Sequence, residues 1–573
     1  MRSIQSLLLT LPLLLAPSAA TAAHPAGAQI SNAATVDITP EGLAVATDIL
    51  PGLVPGAIEV PAISDGERTD FPECLLGGYE YDISGVYVDI AVANASIVPN
   101  TGRLDLEVTL LVSVNDPSDP FRLYGALECI GTDCDGYVEP FEATVTTSLG
   151  LRVVPDADGE PTLDATVGSL SLANGLTGTD INIDGCAIGT IEDIFNFFGL
   201  SLFDLILTFA EPYINDLIAD FGPEIEALLE DAFSQVAINE DLDLSGVIVS
   251  AELAPADVAI SPAGVRIFMD GAMSTPDVAD CIAEYDPQSS LETPSDAPAL
   301  GSAPAGVATG YHAALNLSDD LGNQALYAIW RGGLLCYNVD EELVGFALDT
   351  ALLNSLSNDT YIDLFPEPQP MVITTRPAQP PTLVFDGDND VGLAVDELGL
   401  DFYAELDGRE ARIVAMDVGL VAGADLDFNG ATGELDVLVD LGTDALTAVV
   451  TDNEFKPGTE AAIEGNFAGL FDTLIGSIVG GLVEDIGFAL PAFSGLGLTD
   501  LSLEAAGPDG DWLGGYAYIG PVTYGADAAG CGDEGGGDGC SGGCSASGTG
   551  GGRMVLLGVL PLALVALRRR EDG

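Results

Sequence analysis

The chain has 573 residues, 47% of them apolar, and sets 15 Lys+Arg against 90 Asp+Glu for a formal charge of −75. Lys456 is its one lysine, so no basic patch exists to release counterions from nucleic-acid phosphates. Docking on anionic lipid headgroups through charge is disfavoured on the same ground, while the apolar fraction allows large cores under an acidic, salt-tolerant surface.

Residues 1–23 read as a secretory signal peptide. Arg2 supplies the positive start, residues 7–15 the apolar core, and Ala20-Thr21-Ala22 the cleavage site. No cysteine follows that site, so a lipoprotein anchor is not expected. Export permits disulfides among Cys74, Cys129, Cys134, Cys186, Cys281 and Cys336. Sequence alone leaves their pairing open, and proximity suggests only Cys129 with Cys134. The histidines are His24 and His312, and the cysteine spacings do not resemble zinc sites.

The first half of the body reads mostly as strand. Ile38-Thr39-Pro40-Glu41-Gly42-Leu43 is expected as a turn feeding a strand, with Pro at its second position and Gly at its fourth. Residues 79–98 read as a hairpin-like strand pair. Residues 104–114 give the clearest alternation: Leu104, Leu106, Val108, Leu110, Val112 and Val114 on one side, Asp105, Glu107, Thr109 and Ser113 on the other. That run exceeds the usual strand length of about 5–6 residues and points to a strongly twisted, barrel-like sheet. Strands continue over 141–154 and 166–172.

Residues 201–233 break the pattern. Ile214, Leu217, Ile218, Phe221, Ile225, Leu228 and Leu229 recur at steps of three and four and form one stripe of a helix. Asp216, Asp220, Glu224, Glu226 and Glu230 take the other face, and Pro212 and Pro223 divide the run. Strands return over 242–269. Residues 285–309, rich in Pro, Ser and Ala, read as a linker between a domain at 30–284 and a second at 310–522.

The second half repeats the plan. Ser318-Asp319-Asp320 caps a helix that ends at Gly332-Gly333. Strands fill 383–441. A second amphipathic helix is expected over 461–486, where Phe467, Leu470, Leu474 and Ile478 lie on a wide apolar face. A strand at 496–505 is expected to close the body. Residues 525–552 form a Gly/Ser/Cys-rich tether. Residues 553–573 hold a short apolar run, below the roughly 20 residues of a membrane span, then Arg568-Arg569-Arg570.

Other chemistry is sparsely marked. Asp425-Leu426-Asp427-Phe428-Asn429-Gly430 with Asp436 matches the start of a calcium loop, but Asn-Gly between strands first reads as a hairpin turn. Asp386–Asp390 is a weaker match. A Ser-His-Asp site would have to use His312, and no nucleophile-elbow motif appears. The expectation is no catalytic residue, no metal and no cofactor.

The order of elements resembles a family: the tubular lipid-binding proteins related to bactericidal permeability-increasing protein, lipopolysaccharide-binding protein and plasma lipid-transfer proteins. Four segments carry the resemblance. They are residues 38–45 (ITPEGLAV), residues 252–271 around Gly264-Val265-Arg266-Ile267, residues 315–335 from Leu315-Asn316-Leu317-Ser318 through Asn323 to Trp330, and Gly487-Phe488-Ala489-Leu490-Pro491. The resemblance implies an α+β fold of two barrel-like domains. Each would be a highly curved antiparallel sheet wrapped around long amphipathic helices, the two joined in a boomerang by a central sheet.

Each barrel would hold acyl chains, with Ile214, Leu217, Phe221, Leu228, Phe467, Leu470, Leu474 and Ile478 as candidate lining. Burial at about 0.8 kcal/mol per CH₂ gives a chain of about 16 carbons roughly 10 kcal/mol before ordering costs. Two departures stand out: the stretch 187–233 lacks the family's disulfide cysteine, and the first domain lacks basic tips.

The tail is similar to C-terminal sorting signals of bacterial surface proteins, the myxobacterial type most of all. That implies processing at Cys544, or Cys540, and display at the cell surface or outer membrane, with release from the cell or a retained membrane anchor as alternatives. Together these expectations describe an exported, surface-tethered protein that binds, or also transfers, a lipid or other hydrophobic small molecule. It would bind no nucleic acid, and its oligomeric state is left open. The alternative is a structural or adhesive surface protein with filled barrels.

Overall fold

The computed structural model describes residues 22–24, 27–47, 57–67, 79–127, 130–185, 238–341, 347–440, 446–467, 469, 487–489 and 496–522, apart from 158, 170, 174–180, 245, 284, 286–289, 293–295, 386–389 and 509. The expected helix at 201–233, most of that at 461–486, residues 1–21 of the signal peptide, the tether and the sorting segment lie outside these residues.

Among the described residues three large antiparallel sheets make the frame, beside a two-stranded pairing of Ala22–His24 with Ser290–Glu292. A seven-stranded central sheet has the order Ile238–Leu244, Val247–Ser261, Gly264–Ser274, Ile30–Ile38, Ala313–Ser318, Trp512–Pro521, Leu496–Ala506. The first described strand of the body therefore lies between a strand of the first half and one of the second. The first-half sheet runs Ala57–Val60, Val86–Asn100, Arg103–Val114, Ile130–Pro155, Phe121–Leu127, Tyr79–Ser84, Ile63–Glu67. The second-half sheet runs Asn338–Val339, Met371–Pro377, Val391–Leu406, Arg409–Asn429, Glu434–Asp440, Gly487–Ala489. Among the described residues the fold is thus a sheet-rich arrangement with a half-barrel of curled antiparallel sheet and few helices.

Alternation sets which face of each sheet is buried. In Arg103–Val114, Leu104, Leu106 and Val108 are buried while Arg103 and Glu107 are exposed. The central sheet buries Ala34, Ile267, Met269 and Leu317 against Leu321 and Ala325 of the helix Asp319–Arg331.

That helix pins the two halves together. Ser318 is its N-cap and accepts from the Leu321 N–H, and Gly332 ends it. Asn323 donates to the Leu383 carbonyl at 3.2 Å and accepts from the Leu383 N–H at 2.8 Å. Gln324 accepts from the Met273 N–H at 2.7 Å and donates to the Ala28 carbonyl at 2.9 Å. The Trp330 indole donates to the Pro377 carbonyl at 2.8 Å. One side of the helix thereby holds first-half backbone and the other side second-half backbone.

Three expectations are corrected. Residues 40–47 form a helix, Pro40–Thr47, rather than a turn feeding a strand. Pro40 takes the first helical position, where its missing N–H costs nothing, and the Thr39 hydroxyl accepts from the Gly42 N–H at 3.2 Å. Tyr79–Ser84 and Val86–Asn100 are successive strands but not a hairpin. The first pairs with Phe121–Leu127 and the second with Arg103–Val114, and Gly85, at φ 71°, redirects the chain between them. The strand at 496–506 is followed by another, Trp512–Pro521, which lies between it and Ala313–Ser318 in the central sheet.

Candidate functional site

The inner, apolar face of the curled sheets is the candidate ligand surface. In the first half it is built from Leu104, Leu106 and Val108, with Val145 and Leu149 on Ile130–Pro155. At this end it is closed by Leu43 of the helix Pro40–Thr47 and by Ile260 and Val265 of the central sheet. Along the same strand the face continues as Leu110, Val112 and Val114, which are only half-buried. Leu110 still packs on that cluster, Val114 packs on a second one formed by Ile83, Phe121 and Leu123, and Val112 between them belongs to neither.

The second half is packed more fully. Phe402, Val414, Met416 and Val418 on its strands meet Leu353, Tyr361, Phe365 and Ile463 in one cluster. The helix Thr350–Leu356, capped by Asp349, supplies part of that cover. Phe467 belongs to the cluster and is buried. The other cavity candidates (Ile214, Leu217, Phe221, Leu228, Leu470, Leu474 and Ile478) lie outside the described residues, as do Cys540 and Cys544. Cys134 is buried beside Phe121 and Leu123, and Cys129 lies outside the described residues.

Electrostatics limits what these faces can attract. Arg103, Arg122, Arg152, Arg266, Arg376, Arg412 and Lys456 each have a carboxylate at 2.5–3.6 Å. Most of these pairs are exposed, where a pair contributes about 0–1 kcal/mol, yet each neutralises a cation that could have met a phosphate. Arg266 differs. Its Nε and Nη2 donate to the two oxygens of Asp37, both at 2.6 Å, inside the central sheet. Asn316 donates to the Thr35 hydroxyl at 3.0 Å beside them. Val307, Tyr311 and Tyr516 pack over the adjacent sheet. Burial raises the Asp37 carboxyl above its ordinary range, with the Arg266 hydrogen bonds opposing it.

Other sequence candidates resolve into structure. Arg409–Asn429 and Glu434–Asp440 form a hairpin that sets Asp427 opposite Asp436, and the Asn429 side chain accepts from the Ala431 N–H at 3.0 Å in its turn. Among the described residues no group of three or more His, Cys, Asp or Glu is placed to hold a metal. The His312 Nδ1 accepts from the Ile519 N–H at 2.9 Å, so that nitrogen holds two strands of the central sheet in register. Among the described residues no helix is long and apolar enough to cross a membrane.

Two features escaped sequence reading. One is the Asp37–Arg266–Asn316 cluster, drawn from three distant strands. The other is a disulfide between Cys281 and Cys336, whose Cα atoms are 6.4 Å apart; it lies beside Ile282, Tyr327 and Trp330.

No protein-family model matches the chain, and no curated protein matches it. Among solved structures, that of lipopolysaccharide binding protein aligns over 86% of this chain and 100% of its own, at 14% identity and a TM-score of 0.51. The likeness shows a shared fold. A second structure, P47 of Clostridium botulinum E1, covers 86% of this chain and 100% of its own at 9% identity, but its TM-score is 0.23 and nothing is inferred from it.

Proposed function

We propose that the protein is an exported, surface-tethered binder of a lipid or another elongated hydrophobic molecule, and that it carries its ligand across the aqueous gap at the cell envelope. The acyl part lies on the inner face of the first-half sheet, beneath the amphipathic helix at 201–233. The domains run 30–284 and 310–522 about the linker 285–309, the second closing as a barrel around the helix at 461–486. The tether 525–552 and sorting segment 553–573, processed at Cys544, hold the chain at the surface. It is a binding protein with no catalytic residue.

The observation that carries this reading is the apolar inner face of the first-half sheet, which runs from buried Leu104 and Leu106 to half-buried Leu110, Val112 and Val114. The fold shared with a lipopolysaccharide binding protein supports it. Headgroup recognition by charge finds no support among the described residues, where the first-half cations Arg103, Arg122 and Arg152 are paired with carboxylates. Binding therefore rests on apolar burial and is insensitive to salt.

The aromatic packing of Tyr361, Phe365, Phe402 and Phe467 favours a second reading for the other half, a core filled by the protein itself. Uptake of a fluorescent fatty acid by delipidated protein tests the proposal. Saturable uptake that Val112→Asp abolishes is expected, and absence of uptake would overturn it.

A further inference from the structure

We propose that the outer face of the first-half sheet carries a second binding site, for a neutral polyhydroxylated group such as the sugar ring of a glycan. A polar groove of about 660 Å³, open to solvent, lies there. It is distinct from the acyl surface because strand alternation turns Arg103, Asp105 and Glu107 away from Leu104 and Val108.

Two cross-strand rows form its floor. Ser171, Thr146, Glu107 and Ser96 lie side by side on four strands. Ser148, Asp105 and Val98 make the next row. Ser169, in the step between Pro161–Val167 and Ser171–Ala173, adds a wall. Gly168 lets that step close on the floor, since a β-carbon there would lie 2.5 Å from the Ser148 hydroxyl; its N–H donates to the Ser148 carbonyl at 2.7 Å.

The chemistry of the lining selects the ligand. Among the described residues, the hydroxyls of Ser96, Ser148, Ser169 and Ser171 and the carboxylate of Glu107 make no hydrogen bond to protein. A serine hydroxyl both donates and accepts, and a carboxylate accepts through two oxygens. That set matches adjacent sugar hydroxyls, which also donate and accept. Arg103 is held by Asp105 at 2.8 Å, so its charge is cancelled and Glu107 leaves the lining net negative. An anionic group is therefore repelled, and a neutral polyol is not.

The test uses the mature full-length protein and four probes: maltose, cellobiose, lactose and diacetylchitobiose. Binding is read by saturation-transfer NMR and titration calorimetry. At least one disaccharide should bind, roughly in the millimolar range. Glu107→Gln and Ser148→Ala should each weaken it at least fivefold, and Ser96→Trp should abolish it by filling the cavity. Near-UV circular dichroism and unchanged fatty-acid uptake confirm that the variants are folded. Binding of none of the four sugars overturns the inference, and so does binding that all three variants leave intact. Titration of calcium that depends on Glu107, with no sugar bound, assigns the site to a cation and overturns it equally.

Discussion

Replacing Arg266 with Met should be among the most damaging single changes in the central sheet. Arg266 and Asp37 are 8% and 2% exposed, and their two hydrogen bonds are both 2.6 Å. The variant leaves Asp37 as an uncompensated buried carboxylate, which costs about 3–5 kcal/mol. Replacing both residues, Asp37→Leu with Arg266→Met, removes both charges and should return stability to within about 2 kcal/mol of the parent.

Urea unfolding followed by tryptophan fluorescence reads this directly, because Trp330 and Trp512, the chain's two tryptophans, are buried in the seam helix and the central sheet. The deficit of Arg266→Met should also shrink in acid. Burial already raises the Asp37 carboxyl, and loss of Arg266 removes the opposing pull. A carboxyl raised in the fold binds its proton more tightly than in the unfolded chain. The penalty therefore grows as pH rises above the ordinary value of 3.8 and fades as pH falls toward it. A loss below about 1 kcal/mol, or a double variant as unstable as the single one, would refute the role given to this pair.

Three further outcomes are expected. Gly42→Ala would normally favour a helix by about 1 kcal/mol, but its β-carbon would lie 2.1 Å from the His312 carbonyl oxygen, so a loss of at least about 2 kcal/mol should appear in the same urea assay. Cys281→Ser with Cys336→Ser opens a crosslink spanning 55 residues, which the chain-entropy model values at about 4 kcal/mol; a matching fall should follow reduction of the parent with a thiol. Tyr361, hydrogen-bonded to Asn453, has its phenol lifted by burial from 10.0 to about 12. Its contribution is complete below pH 10 and is lost as pH rises through about 12, so Tyr361→Phe should flatten that part of the alkaline unfolding profile.

Local pattern was readable wherever local forces decide. The alternation at 104–114, the cap at Ser318 and the Asn429-Gly430 hairpin all follow from steric and hydrogen-bonding preferences within a few residues. Thr39-Pro40 shows the limit. Proline's fixed φ suits both the second position of a type I turn and the first turn of a helix. The site itself is a helix docked on residues far away: the Thr39 hydroxyl donates to the Tyr311 carbonyl at 2.5 Å, and the Thr39 N–H to the His312 carbonyl at 3.0 Å.

Partner choice between strands was equally hidden. Nothing near Tyr79–Ser84 marks Phe121–Leu127 as its neighbour. Asp37 occupies an alternating slot that reads as solvent-facing. It is buried because residues 303–311 and Tyr516 cover that side of the sheet, a long-range fact. The candidate site was legible as an apolar stripe in need of cover, but the hydroxyl-lined cavity was not, since its rows join the Val86–Asn100 and Arg103–Val114 hairpin to strands dozens of residues further on.

Native mass spectrometry of the protein purified without added lipid tests lipid binding most directly. A bound species of several hundred daltons, released by organic extraction and identified there as carrying acyl chains, is the predicted result. A single mass equal to that of the processed chain, together with an extract free of acyl chains, would contradict it.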